Sequence, residues 1–446
     1  MPFVPHTPEE EKAMLQAAGA GSVEDLFRDI PGEIRFQGEL ALPPGAPEWE
    51  VEKAMAELAG KNRPASSGPF FLGGGTYLHR IPAVVDSLAS RSEFVTAYTP
   101  YQPEASQGSL QAAFEFQTMV CELTGLGVSN ASMYDGASAA AEAACMMRNI
   151  NGRKRKKLVL SAALDPFAAR TVRTYLANLE VEIVTAPLGR DGRTRLEGVV
   201  DEETFGVLLG HPNFFGVLED LPAAAEASRK AGALTAVQTR LIPLGILASP
   251  GECGADIAFG DGAGLGTPPW FGGPSFGFFA AKEEYVRRMP GRIVGETVDR
   301  NGKRAFVLTF QPREQHIRRE KATSNICTNH ALMALRGAIH LAALGKEGIV
   351  ETARACLERA HLAAERLAAL PGYSQAFEAP FFHEFALRCP RPAEETARKA
   401  REAGVRAGIP LSRFFPGMED LLLVAVTEWN TLEDIQALEK ALGGVS

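Results

Sequence analysis

The sequence predicts an α/β protein: a helical arm, then a large domain on a mostly parallel sheet, then a smaller C-terminal α+β domain. Three observations carry this expectation. From about residue 110, short apolar runs alternate with helical segments, the pattern of βαβ units on a parallel sheet. After Thr328 the order changes to long helices flanking two strand-like runs, an α+β arrangement. The chain has 446 residues, 46% hydrophobic and 22% charged, which suffices for a sizeable core and excludes a disordered, collagen-like or disulfide-scaffold protein.

The first ninety residues read as helical pieces: an acidic segment at Thr7 to Ala18, SVEDLFRDI from Ser22, and PEWEVEKAMAELAGKN from Pro47, with apolar positions at helical spacing. The arm is assigned to residues 1–90, the large domain to 91–328, and a linking helix with the small domain to 329–446. In FFLGGGTYLHRIP, Gly73, Gly74 and Gly75 require a backbone that bends tightly or approaches another chain closely. LQAAFEFQTMVCELTG and ASAAAEAACMMRNI read as helices, and KLVLSA, VEIVTA, FGVLLG, ALTAVQ, DIAFG and SFGFFA as strands. The helical segments DPFAARTVRTYLANL and LPAAAEASRKAG fall between strands. Beyond Thr328 come NHALMALRGAIHLAAL, helices around 348–370 and 392–406, the strands FFHEFALRC and LLLVAVT, and a final helix. With no low-complexity linker and no short repeat, the domains are expected to pack closely.

Net charge is −8 with basic and acidic residues interspersed, which argues against nucleic acid as a partner. The basic run Arg153 to Lys157 reads as a solvated loop. No apolar stretch reaches the ~20 residues of a membrane span, and the N-terminus shows no apolar signal region, so a cytoplasmic location is expected. Cys121, Cys145, Cys253, Cys327, Cys356 and Cys389 are scattered without a CxxC pair, and are expected to be reduced and mostly buried. The eight histidines show no ligand spacing, so no metal is expected.

Asp135, Gly136 and Ser138 open an Ala-rich helix after an irregular segment. Free N–H groups and the positive dipole end there suit a phosphate, while ordinary capping by Asp135 accounts for the same residues; both readings stand. On such a sheet a phosphate-bearing pyridine aldehyde needs an acid on its ring nitrogen and a lysine for the Schiff base, both at strand ends. The acid position at the end of ALTAVQ holds Gln238, and DIAFGDGAGLGTPPWFGGPSFGFFA contains no lysine, the nearest being Lys282 after the following strand. Gly262, Gly264 and Gly266 precede Pro268 and Pro269 and not a helix, so they are a poor dinucleotide loop.

Four strings, EFVTAYTPYQPEASQGSLQ, NASMYDGAS, WFGGPSFGF and REQHIRREKATSNICTN, resemble the P-protein of the glycine cleavage system, the pyridoxal-phosphate-dependent glycine decarboxylase. The resemblance extends over nearly the whole chain. That family occurs as one long chain of two similar halves or as two subunits, and this chain resembles subunit 1, the N-terminal-half-like subunit without the cofactor lysine. The resemblance implies the pyridoxal-phosphate-dependent transferase fold of the aspartate aminotransferase type. It further implies pyridoxal phosphate held covalently by a lysine-bearing subunit 2 and not by this chain, and a heterodimer that can pair into a heterotetramer. The activity implied is binding of glycine as an aldimine, loss of carbon dioxide, and transfer of the aminomethyl group to the lipoyl arm of the H-protein, with this chain inactive alone.

TAYTPYQPEASQG carries Tyr98, Tyr101, Gln102, Glu104 and Gln107, and its two prolines make it a rigid loop. Such tyrosines can fill an interface. With the resemblance covering this string, Tyr98, Tyr101, Gln102 and Glu104 are expected to act in the partner's site, where phenols could hydrogen-bond glycine or cofactor. Arg318, Arg319 and Lys321 precede Thr323, Ser324 and Asn325 at the expected start of the long helix. These last three are the expected contacts to the partner's cofactor phosphate, and a capped helix with a solvated basic face explains them equally. Tyr77, His79 and Arg80 could lie near an interface, with His79 a satisfied structural residue. The competing function is a structural or regulatory paralogue contributing no active-site residue; a self-sufficient enzyme fails for want of a placed lysine.

Overall fold

The computed structural model describes residues 6–36, 38–152 and 154–444. Internal packing divides the chain into two units, Met1–Arg63 and Pro64–Ser446. In the first, Thr7 caps α1 (Pro8–Ala17) through a reciprocal bond with Glu10, and Ser22 caps a single 3-10 turn, Val23–Phe27, in the same way. The helix α2 (Glu48–Ala59) follows, and none of these three elements contains a buried residue.

The second unit begins with α3 (Ala83–Ala89), α4 (Ser92–Val95) and α5 (Gln107–Thr124). It continues through β1 (Val128–Ser129), α6 (Gly136–Ile150), β2 (Lys157–Ser161), α7 (Pro166–Leu176), β3 (Glu182–Ala186), β4 (Thr204–Gly210), α8 (Leu221–Ala231), β5 (Leu234–Gln238), β6 (Ile257–Asp261) and β7 (Gly277–Ala281). These strands form one sheet in the order β1-β7-β6-β5-β4-β2-β3. From β6 to β3 the neighbours are parallel, and β7 runs antiparallel to both β6 and β1. Every residue of β4 is buried, as a continuous apolar run predicts for a strand covered on both faces. The alanines of α6 let that helix lie against the sheet among Met133, Phe205, Leu208, Phe259 and Phe279.

A hairpin follows, β8 (Ile293–Val298) and β9 (Arg304–Thr309), then the single turn α9 (Gln315–Arg318) and the long α10 (Ala331–Ala368), broken at Gly345 where φ is +63°. The last elements are β10 (Ser374–Gln375), β11 (Glu384–Arg388), α11 (Ala393–Glu402), β12 (Ile409–Pro410), β13 (Leu421–Ala425) and α12 (Leu432–Gly443). Their antiparallel sheet, ordered β10-β11-β13-β12, shares a core with the second half of α10, including Ala360, Leu367, Leu422, Val424 and Leu438.

Three expectations change. The long helix starts at Ala331, not at Thr323–Asn325, because the N–H groups of Cys327 and Thr328 donate to the Tyr134 hydroxyl (3.1 and 3.2 Å) and cannot join a helical ladder. Of the six cysteines only Cys356 and Cys389 are fully buried; Cys327 is exposed and the others are intermediate, all six being free thiols. In the basic run, Arg153 lies outside the described residues, while Lys156 and Lys157 pair with Glu180 and Asp201 and Arg155 donates to the carbonyls of Thr204 and Ala231.

Candidate functional site

Residues 96–106 form an irregular loop with one 3-10 turn, Pro103–Ala105, and the loop is fastened at two points. Gln107 is one: its Nε2 donates to the carbonyls of Pro103 and Phe306 (both 2.8 Å) and its Oε1 accepts from the Phe306 N–H (2.9 Å), so the side chain pairs with β9 as a neighbouring strand would. Arg292 is the other. It is 3% exposed and donates to the hydroxyls of Thr99 (3.2 Å) and Tyr101 (3.0 Å), its guanidinium 5.3 Å from the Tyr101 ring centre. Buried Glu314 lies 3.9 Å from Arg292 Nε, and the ring of His316 meets Tyr101 edge-on at 6.4 Å. The structure thus joins the tyrosine loop to the start of the REQHIRREKATSN segment through a residue that no motif singled out. Tyr98 is 83% exposed and, with Phe94, Pro100, Arg292 and Asn329, lines a hollow of about 670 Å3. Gln102 and Glu104 both face solvent.

Thr323, Ser324 and Asn325 lie in the irregular connection before α10. Ser324 turns inward: its hydroxyl accepts from the Ile326 N–H (2.9 Å) and hydrogen-bonds the buried Glu142 carboxyl of α6. Burial pushes that carboxyl up to about 7, the Ser324 bond lowering it only partly. Asn325 is exposed, its Oδ1 accepting from Gln315 (3.0 Å), while the Thr323 N–H donates to the Arg313 carbonyl (3.0 Å).

At the C-terminal ends of β5 and β6, beside the start of α6, lies a cleft of about 1280 Å3, the position where doubly wound sheets bind ligands. The two readings of the α6 start now separate. Asp135 Oδ1 accepts from the Ser138 N–H (2.7 Å), and Gly136 donates its N–H to Asp261 Oδ2 (3.2 Å). Two carboxylates occupy the donors that a phosphate would need, so capping accounts for these residues. Asp261 also accepts from the Ala263 N–H and the Ser275 hydroxyl, both at 2.7 Å. Gln238 lines the cleft from the end of β5, and no lysine is among the described residues that line it. Lys282 pairs with Asp256 (2.5 Å) at the opposite end of β6. This cleft therefore does not fit pyridoxal phosphate: it offers no amine for a Schiff base, no acid at Gln238, and no free helix start for the phosphate.

The glycine-rich turn closes the cleft within this one chain. Gly74 donates its N–H to Glu384 Oε1 (2.6 Å), Tyr77 donates to Glu384 Oε2 (2.9 Å), and a Cβ at Gly73 would collide with the same carboxylate. Burial pushes Glu384 up to about 7. His79 binds Glu428 (2.8 Å), to which Cys356 Sγ (3.1 Å) and the Arg80 N–H (2.7 Å) also donate. These His, Cys and Glu ligand atoms lie within 4.8 Å of one another, a convergence of groups 72 to 349 residues apart that spacing cannot reveal. Although burial opposes it, His79 and these bonds hold Glu428 down at about 2. The Arg80 guanidinium lies over Trp429, 5.6 Å from the ring centre. These residues tie the glycine-rich segment to the C-terminal strands.

The glycine cleavage system P-protein family matches the chain over residues 1–442. A protein of Moorella thermoacetica named "Probable glycine dehydrogenase (decarboxylating) subunit 1" is 50% identical over 448 residues, covering 100% of both chains. Its namesake from Geotalea uraniireducens is 50% identical over 447 residues with the same coverage. The crystal structure of a glycine decarboxylase (P-protein) of the glycine cleavage system, in inhibitor-bound form, superposes with a TM-score of 0.91 at 47% identity, covering 100% of each chain. A sphingosine-1-phosphate lyase of Burkholderia pseudomallei superposes with a TM-score of 0.66 at 14% identity, covering 93% of this chain and 94% of its own, a likeness of fold alone.

Proposed function

The chain belongs to the P-protein family of the glycine cleavage system, and from that premise we propose that it is the subunit of glycine dehydrogenase (decarboxylating) that carries no cofactor lysine. It completes a glycine site whose pyridoxal phosphate is held covalently by a lysine-bearing second subunit, and it is inactive alone. The observation that carries this reading is the cleft at Asp261: the fold is that of pyridoxal-phosphate-dependent transferases of the aspartate aminotransferase type, yet the amine and the phosphate donors are missing where that fold holds its cofactor. Bound in the assembled enzyme, the cofactor supplies the electron sink that lets glycine lose its carboxyl group, the aminomethyl group passing to the lipoyl arm of the H-protein.

This chain's part is to shape and seal that site. Tyr98, open to solvent, presents a ring face that excludes water and a hydroxyl that donates a hydrogen bond. Tyr101 is held in one orientation by Arg292, and Gln102 and Glu104 offer polar groups from the same fastened loop. Thr323 and Asn325 face the partner's phosphate, and Ser324, bonded to Glu142, fixes the connection between them. The apolar side chains of the arm support a large subunit interface, for no residue of its helices is buried and Phe36, Leu42 and Trp49 are all exposed. Phe271, 99% exposed in the WFGGP loop of the second unit, is a further apolar group available to a partner. No described helix is long and apolar enough to cross a membrane, which agrees with a cytoplasmic enzyme.

The test is glycine-dependent exchange of labelled bicarbonate with the H-protein present. Each subunit alone gives none and the mixture restores it; exchange by the second subunit alone would reduce this chain to a structural or regulatory paralogue.

A further inference from the structure

The cleft that does not fit pyridoxal phosphate still has the character of a ligand site. Six buried side-chain polar atoms lack a hydrogen-bond partner among the described residues, and four of them belong to residues lining this cleft or the chambers that open from it: Arg240 Nη1, Thr267 Oγ1, and both ring nitrogens of His383. Buried polar groups are nearly always paired, so such a concentration marks a place built to meet polar atoms from outside the chain. Arg240 is central to it, lining both the open cleft and the smaller hollows beside it. Its guanidinium stacks on the Tyr77 ring at 4.7 Å, which stabilises the charge from the face and leaves in-plane N–H donors without an acceptor.

The charges around Arg240 restrict what those donors can meet. Asp165 and Asp261 line the same cleft, and one oxygen of Asp165 accepts from the backbone N–H groups at the start of α7. Asp261 accepts from the Ala263 N–H and the Ser275 hydroxyl on one oxygen and from the Gly136 N–H on the other, each carboxylate keeping further acceptor capacity. A simple anion would sit beside two carboxylates, and a simple cation beside a buried guanidinium. A molecule bearing both signs a few ångströms apart satisfies each side, and a carboxylate is the planar acceptor that a guanidinium fork matches.

We propose that this cleft binds a small α-amino acid as its zwitterion, without pyridoxal phosphate, Arg240 taking the carboxylate and Asp165 with Asp261 taking the ammonium group. Neutral His383, its ring pushed down to about 3 by burial, and the Thr267 hydroxyl supply the remaining polar contacts. Such a site would give the assembled enzyme a sensor for amino acids in the chain that does no chemistry, separate from the glycine site of the partner.

The test uses the purified full chain without cofactor or partner, in thermal-shift and calorimetric titrations with glycine, alanine, serine and threonine, and with acetate and ethylamine as single-charge controls. At least one amino acid should raise the melting temperature saturably at millimolar concentration or below, while acetate and ethylamine do not. Arg240→Gln should weaken that binding at least about tenfold. Circular dichroism checks the fold of each variant. Should Arg240→Gln fail to fold, Asp165→Asn keeps a competent cap for α7 and carries the same expectation. Absence of binding by all four amino acids, equal binding of acetate, or binding unchanged in the variant that folds would each overturn the proposal.

Discussion

Tyr101 and Arg292 show how a residue's role depends on partners far away in sequence. Their hydrogen bond spans 191 positions, so the tyrosine could be singled out from its motif while the arginine that orients it could not. The same holds for Arg240, whose neighbours Tyr77, Asp165 and Asp261 come from three separate segments. Losing one hydrogen bond at such a site costs ~0.5–1.5 kcal/mol, or roughly threefold to tenfold in rate. Tyr98→Phe and Tyr101→Phe are each expected to lower bicarbonate exchange by that factor while sedimentation shows unchanged assembly; full exchange in the double variant would make the loop an interface filler. Glu142 gives a prediction of a different kind. Its carboxyl binds a proton more tightly folded than unfolded, so its contribution to stability is complete below its ordinary value of 4.5 and is lost as pH rises through about 7. At about 1.36 kcal/mol per pKa unit this amounts to as much as ~3 kcal/mol. Glu142→Gln should therefore equal the parent near pH 4.5 and exceed its stability at pH 8. Denaturant titrations at the two pH values measure this, and the oppositely signed contributions of the depressed histidines His211, His340 and His383 cancel in the difference between variant and parent. A pH-independent difference would place the carboxylate in solvent.

At the scale of elements, the six expected strands of the large sheet and the helices between them are present because each apolar run is bounded by turn residues and has the length of a covered strand. The β8–β9 hairpin escaped, although Asn301–Gly302 between alternating residues is a turn signal: the Asp299 carboxylate accepts from the N–H groups of Asn301 (2.8 Å) and Lys303 (2.9 Å), and Gly302 takes φ +76°. The start of α10 is not legible in the sequence because hydroxyls and asparagine before an apolar helix resemble a cap, whereas the hydroxyl of Tyr134, nearly two hundred residues earlier, accepts from the backbone there. In the sequence Gln107 reads as one more polar group of the loop; in the structure it is the pin between loop and hairpin. Gln107→Leu should cost ~2 kcal/mol by leaving the Phe306 N–H and carbonyl unpaired, and should speed amide exchange in residues 99–106. If loop exchange stays slow in that variant, Arg292 alone holds the loop.

For the whole molecule, the α/β class and the smaller C-terminal unit were legible from periodicity, and the family from four long strings. What composition and spacing could not supply was the state of the sheet's ligand cleft, since its loss of cofactor chemistry lies in where Asp261 and Lys282 sit as much as in which residues are absent. The exposed helices of the arm lead to an expectation about assembly: deletion of residues 1–63 should leave the unit from Pro64 folded and abolish binding of the lysine-bearing subunit, as read by light scattering. Retained binding would move the interface elsewhere. The central claim, that this chain completes a site whose lysine lies on another, is tested most directly by mixing it with pyridoxal phosphate and the second subunit, reducing with borohydride and mapping the adducts. The account predicts one pyridoxyl-lysine per pair of subunits, on the partner; a stoichiometric pyridoxyl-lysine in this chain between Asp256 and Lys282 would contradict it.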